Sequence, residues 1–385
     1  MRTPLAWKNL THEIRRLLLA VGGVGFAVLL VFMQLGFRGA LLEGTVQLPM
    51  AFNADLVLVS KTKVLIQIPE KFARQVLYQT RNVSEVDSAW PVYIDMSRSS
   101  WYLPGQTTRS LPIRTVAFNP RDPVLTLEDV RRHADELMMP DTIMFDRKSK
   151  VDYGKPNIGD VAYLNDNRLR VVGTFALGTD FATDATCIVS DRNYAQMFFP
   201  KGAADFGLSQ VDIGLIKLKP GADVQAVKRE LQSLLPEYIV VRTKAEYIAA
   251  EQGYWDNSTP VGYVFGFGVI LGFVVGVIIC YQVLYADVTD HMSEYATLKA
   301  MGYRARYFMG LVMQESLFIS LLGFVPAMVA AELLYLGLEA MTGLPLNLTL
   351  HRAGGVLVLA VAMCVISGLL ALRKLTAADP AELFR

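Results

Sequence analysis

The chain has 385 residues, 52% of them hydrophobic and 19% charged, with a formal net charge of +1. So apolar a composition excludes an ordinary soluble protein, and so balanced a charge offers no footprint for nucleic acid. The length suffices for a membrane part and a separate soluble domain.

Residues 1–16 read as a cytoplasmic amphipathic segment carrying Arg2, Lys8, Arg15 and Arg16. The apolar run Leu17–Phe37 follows. It exceeds the roughly 7–15 apolar residues of a signal peptide, and no small-x-small cleavage site follows Phe37. It is expected to stay as a transmembrane helix over 17–38.

Residues 39–260 form a segment of ordinary domain size. Its hydrophobic period switches between two and 3.6, so mixed α and β structure is expected. Two strand-helix-strand units stand out. One runs from Ala54–Ser60 through a helix near Glu70–Thr80 to a strand around Val83–Met96. The other runs from Val211–Leu218 through Val224–Leu235 to Tyr238–Arg242. In its helix Val224, Val227, Leu231, Leu234 and Leu235 fall on one face, and Asp223 is placed to cap the N-terminus. Lying near the two ends of the segment, the units are expected to pack as one membrane-proximal subdomain. The middle, roughly Arg98–Pro200, would project away as a β-rich part with strands at Arg168–Phe175 and Thr186–Ser190. No binding site is recognisable there.

Val261–Ala286 is uncharged, and at about 1.5 Å per residue it exceeds the roughly 30 Å hydrocarbon core. Gly262 and Gly266, then Gly268, Gly272 and Gly276, make small-xxx-small ladders that let helix backbones approach closely. They are read as a self-association face, with packing inside one subunit as the other reading. Gly22, Gly23 and Gly25 give the first helix a smaller smooth patch. The third span is placed at 311–338, interrupted by Glu315 and Glu332 and kinked at Pro326. A short loop, 339–352, leads to the fourth span at 353–373 and a tail at 374–385. Gln34, Gln282, Gln314, Glu315 and Glu332 are the polar residues in or near the spans. Glu315 is expected to snorkel to the inner surface and Glu332 to sit at the outer interface.

Lys and Arg cluster before the first span, at Lys299, Arg304 and Arg306, and at Arg373, Lys374 and Arg385. Only Arg38 and Arg352 lie close to the membrane on the other side. Both termini are therefore expected in the cytoplasm and 39–260 in the periplasm. The scattered Cys187, Cys280 and Cys364 imply no disulfide framework. The sequence contains no phosphate-binding loop, no His-Glu-x-x-His and no Gly-x-Ser-x-Gly elbow, and its four histidines lack metal-ligand spacing. No catalytic, cofactor or metal residue is assigned.

Residues 287–310 join the second and third spans. Their helix has an acidic start at Asp287 and Asp290, a basic end at Lys299 and Arg304, and an apolar stripe at Met292, Tyr295, Leu298 and Met301. Gly302 is placed to end it. The residues leave two readings open: a passive interfacial helix, or a lever offered to a cytoplasmic partner.

The segment EYATLKAMGY at Glu294–Tyr303, the tail AADPAELFR at Ala377–Arg385, and the large domain after the first span resemble the FtsX-like permease superfamily, which includes MacB and the Lol permeases. The string from Ser258 onward, with GTFALGTDFATDAT at Gly173–Thr186, is most similar to its DevC family. The resemblance implies a MacB-like fold of four transmembrane helices and a periplasmic α+β domain, with porter-like βαβ units and a β-rich subdomain. It also implies the role: a non-catalytic bacterial inner-membrane subunit of an ABC exporter, paired with a second copy and with a DevA-type ATPase that binds ATP and Mg. A DevB-type adaptor and a TolC-like outer-membrane channel would carry out a glycolipid or other amphiphile. By position, Asp290, Glu294, Tyr295, Leu298, Lys299, Met301, Gly302 and Tyr303 would form the coupling helix that contacts the ATPase. Two other classes stay open: a signalling subunit that controls a periplasmic hydrolase, and a proton-driven carrier.

Overall fold

A computed structural model describes residues 14–200, 207–290, 301 and 305–376. They divide into two compact units. The helical unit comprises residues up to Gly39, Pro260–Gly337 and the chain from Leu346. The sheet unit comprises Ala40–Thr259 and Leu338–Pro345. The last stretch was expected to close the third span and open a short loop.

Four helices are long and apolar enough to cross a membrane: Leu17–Gly44, Pro260–Asp290, Met309–Thr342 and Leu350–Arg373. Each overruns its expected span by one to six residues at an end, because helical hydrogen bonding continues past the point where the hydropathy falls. The helix Ala305–Thr342 carries Pro326 inside it.

The helical unit packs through small residues. Gly25 of the first helix faces Gly323 of the third, where an added methyl group would lie 2.8 Å from a Val24 methyl. Phe32 and Phe324 meet nearby in a tilted pair with ring centroids 5.7 Å apart, and the buried Tyr335 donates its hydroxyl to the Phe32 carbonyl. The second and fourth helices meet where Ser367 Oγ donates to Val277 O at 2.8 Å and where the free thiols of Cys280 and Cys364 lie 3.4 Å apart.

The sheet unit is built on strand Leu56–Ser60, whose five residues are all buried. It is flanked by Ile239–Thr243 and Ile213–Leu218, both antiparallel to it. Ile213–Leu218 in turn pairs with the ten-residue strand Val86–Asp95. These four strands are the two expected strand-helix-strand units, interleaved. Side chains alternate between faces: Leu56 and Leu58 join the core under the helices Arg74–Gln79 and Val224–Leu234, while Val57 and Val59 join Tyr247 of helix Lys244–Asn257 on the other face. Burial on both faces explains why this strand reads as an unbroken apolar run.

Local chemistry sets the helix ends. Asp223 Oδ1 accepts from Gln225 N and Ala226 N at 2.9 and 3.2 Å. Thr243 and Glu246 form a reciprocal capping box. The first connecting helix starts at Arg74, later than expected, because Phe72–Ala73 pairs with Gln210–Val211. Leu234 does not share the buried face; it is 50% exposed. The helix stops there, and the extended backbone of Leu235 turns that side chain inward instead. On the free edge of Ile239–Thr243, the Gln232 amide donates to Ile239 O and accepts from Val241 N, both at 2.9 Å. A side chain thereby closes an edge that would otherwise offer a strand-pairing template.

The middle segment is not a separate projection. Val86–Asp95 is long enough to serve two neighbours, Ile213–Leu218 along Val86–Val92 and Arg114–Phe118 along Tyr93–Asp95. Beyond Arg114–Phe118 follow Thr186–Ser190, Thr142–Asp146, Asn167–Phe175, Val161–Leu164, Ser100–Tyr102 and Leu111–Pro112, one mixed sheet of eleven strands.

Candidate functional site

The coupling residues divide at the boundary of the described structure. Asp290 ends the helix Pro260–Asp290, and Met301 is exposed. Glu294, Tyr295, Leu298, Lys299, Gly302 and Tyr303 lie outside the described residues.

The glycine ladder is placed. Added methyl groups would meet Gln34 at Gly268 (2.4 Å), Val31 at Gly272 (3.1 Å), and Met363 Sδ and Ala27 at Gly276 (2.3 and 3.1 Å). These three glycines are thus taken up by the first and fourth helices of the same chain, the packing alternative rather than the self-association face. Gly262 is buried, and Gly266 has open space beside it. Glu315 corrects another expectation. Its side chain does not snorkel but is fully buried, beside the buried Ser316 on the third helix. Glu332 is exposed.

Two buried ionic clusters lie in the sheet unit. In the first, Arg114 donates to Asp180 Oδ2 through Nη1 at 2.8 Å and to Thr186 Oγ1 through Nε and Nη2 at 3.1 and 2.9 Å. Asp180 Oδ1 accepts from Ala182 N and Thr183 N at 2.7 and 2.9 Å. Asp146, fully buried, accepts from Lys148 N, Leu177 N and Gly178 N. The loop so held, within Gly173–Thr186, grips the end of the third helix: Thr179 Oγ1 donates to Thr342 O at 2.9 Å. Gly178 (φ +114°) and Gly343 (φ +72°) are required here, since added methyl groups would strike Gln47 Oε1 and Lys148 O at 2.5 Å.

The second cluster surrounds Asp212, at the start of strand Ile213–Leu218. Its Oδ2 accepts from Ile94 N at 3.0 Å and meets Lys71 Nζ at 3.3 Å. Its buried Oδ1 has no hydrogen-bond partner, and Lys63 Nζ stands 3.9 Å away. Lys63 is itself 2% exposed and donates to the Ile68 carbonyl. Burial pushes the Asp212 carboxyl up and the Lys63 ammonium down. Glu251 of helix Lys244–Asn257 accepts from Ile66 N, three residues beyond Lys63, at 3.1 Å. Burial pushes it up to about 7, with the Ile66 hydrogen bond working in the opposite sense.

Above this cluster opens a cavity of about 300 Å³. Its apolar lining is Ile66, Ile68, Pro69, Ile94, Met96 and Phe199, and its polar lining is Gln67, Lys71, Asp95, Ser97 and Arg98. Arg98 Nε donates to Asp95 Oδ1 at 2.9 Å, and Asp95 Oδ2 also accepts from Arg98 N and Ser99 Oγ. Three segments distant in sequence supply these residues, so no local pattern announces the site. The available signal was an aspartate leading the buried strand of VDIGLIKL. Among the described residues no group of three His, Cys, Asp or Glu side chains is arranged to hold a metal.

The comparisons with known proteins begin with the helical part. Residues 266–380 match the FtsX-like permease C-terminal family. This stretch is similar to FtsX-like permease domains. The matched stretch includes Asp290–Tyr303 and ends five residues before Arg385. Among solved structures, the periplasmic region of MacB from Actinobacillus actinomycetemcomitans is similar at 10% identity and a TM-score of 0.35, over 51% of this chain and 91% of that one. The extracellular domain of the noncanonical ABC-type transporter YknZ from Gram-positive bacteria has 12% identity and a TM-score of 0.34, over 49% and 98%. A domain of a permease from Porphyromonas gingivalis has 15% identity and a TM-score of 0.33, over 49% and 89%. No curated protein matches the chain.

Proposed function

We propose that this FtsX-like permease is the membrane subunit of a MacB-like ABC exporter of the DevC type. A separate DevA-type ATPase would supply ATP hydrolysis and Mg, and this chain would pass the resulting motion to its sheet unit in the periplasm. A second copy of the chain, a DevB-type adaptor and a TolC-like channel would complete the path for a glycolipid or other amphiphile. Both termini would face the cytoplasm at the inner membrane.

The observation that carries the reading is the permease match over residues 266–380, because it joins a spanning helix directly to the segment Asp290–Tyr303. The helix Pro260–Asp290 continues unbroken to the first residue of that segment, so a push at Asp290 has a stiff rod to act on. The test is reconstitution with the ATP-hydrolysing subunit that copurifies. Glu294→Ala, Lys299→Ala and Tyr303→Ala are each expected to uncouple ATPase stimulation from export by about tenfold, as loss of one or two contacts at an interface does. Unchanged coupling in all three variants removes the lever assignment.

A further inference from the structure

We propose that the cavity between Ile66–Lys71, Ile94–Arg98 and Phe199 is a binding site for a short anionic amphiphile. Its acidic head would be held by Lys71 and Arg98, and its first methylenes by Ile66, Ile68, Met96 and Phe199. The inference rests on the sheet unit alone and stands whether or not the chain takes part in export.

Size, charge and chemistry agree. About 300 Å³ is room for about ten water-sized groups, enough for a head and a few carbons but not for a whole lipid. Of the charged lining residues, Lys71 and Arg98 are cations and Asp95 is an anion already saturated by Arg98 and Ser99. Below them Lys63 and Asp212 offset each other, and Lys71 and Arg98 are the cations that reach the mouth. An ammonium has three donors and a guanidinium five. Lys71 gives one to Asp212 and Arg98 gives its Nε to Asp95. Both side chains reach solvent, at 22% and 51% exposure, so donors remain at the mouth. The remaining wall is apolar, as a ligand cavity with a few convergent polar groups should be.

The cluster underneath is built for position rather than stability. Asp212 holds Lys71 from below while its other oxygen lacks a hydrogen bond. Burying that group is costly, and the Arg114 cluster shows that the same sheet satisfies a buried charge completely where only the fold is at stake.

The test uses the full chain in phosphatidylcholine nanodiscs, titrated calorimetrically with octyl phosphate, octanoate, octanol and inorganic phosphate against empty discs. Saturable binding of octyl phosphate and octanoate is expected, with octanol and inorganic phosphate at least tenfold weaker. Lys71→Gln and Arg98→Gln should each weaken both anions about tenfold, and Phe199→Ala should weaken octyl phosphate while leaving inorganic phosphate unchanged. Arg98→Gln, at a half-exposed position, guards against a folding artefact in the more buried Lys71 variant. Discs containing phosphatidylglycerol separate the sources: competition with octyl phosphate identifies a lipid headgroup as the ligand, and no competition identifies a free amphiphile. Heats equal to those of empty discs, affinities unaffected by both cation substitutions, or inorganic phosphate binding as tightly as octyl phosphate would overturn the assignment.

Discussion

The two buried ionic clusters of the sheet unit use similar residues for opposite ends. Around Arg114 every charged atom is answered: three guanidinium bonds go to Asp180 and Thr186, and both Asp180 oxygens are occupied. Around Asp212 one oxygen has no hydrogen bond, and two cations share one carboxylate. The difference teaches how to tell architecture from a site when both are buried. A satisfied network fastens strands and a loop together, whereas an incompletely satisfied one next to a cavity keeps capacity for something else.

The sharpest way to break the comparison is Arg114→Ala. It leaves Asp180 buried without its counter-ion and is expected to cost about 3–5 kcal/mol, read as a lower urea midpoint of the reconstituted chain. A loss below about 1 kcal/mol would mean that the first cluster is no more structural than the second.

Next comes pH. Glu251 has an ordinary value of 4.5 that rises to about 7 in the fold, so between these limits the native state holds a proton that the unfolded state has released. Stability should therefore fall as pH rises from about 4.5 to about 7 and level off above, by an amount on the order of 3 kcal/mol. Thermal melts of wild type against Glu251→Gln check this, since the variant should lack that slope. Identical slopes would remove Glu251 from the strained side of the comparison.

Lys63→Met should be milder than Arg114→Ala. Lys71 remains 3.3 Å from Asp212, and the variant relieves a buried ammonium, so a cost of about 1–2 kcal/mol, mainly the lost bond to Ile68 O, is expected. A cost equal to that of Arg114→Ala would erase the distinction drawn here. The smallest effect is Thr179→Val, which deletes one hydrogen bond to Thr342 O and should cost about 1 kcal/mol while raising hydrogen exchange at residues 342–344. Unaltered exchange there would show that the loop does not hold the helix end.

Several features were legible in particular residues. The four spans follow from long apolar runs, the third of them despite Glu315 and Glu332, because helices about as long as the hydrocarbon core is thick need no partner to be recognised. Asp223 announced its cap, and the two strand-helix-strand units announced their strands to within a few residues. The cavity was not legible, because Lys63, Ile94, Phe199 and Asp212 meet only once the strands are in register. Nor was the use of the glycines. Gly268, Gly272 and Gly276 look the same on a helix whether another chain or their own neighbours cover them, and nothing local to Gly323 says that it faces Gly25.

By itself, then, the sequence determined what is local: where the chain enters an apolar medium, where helices begin, and which segments alternate as strands. These depend on hydropathy and capping within a few turns. Only the tertiary structure decided that one long strand would carry both halves of the sheet, that the end of the third helix would be held by the loop at Thr179, and that two lysines would share Asp212. Those outcomes depend on register and on packing between segments far apart in the chain, and no short stretch of sequence encodes either one.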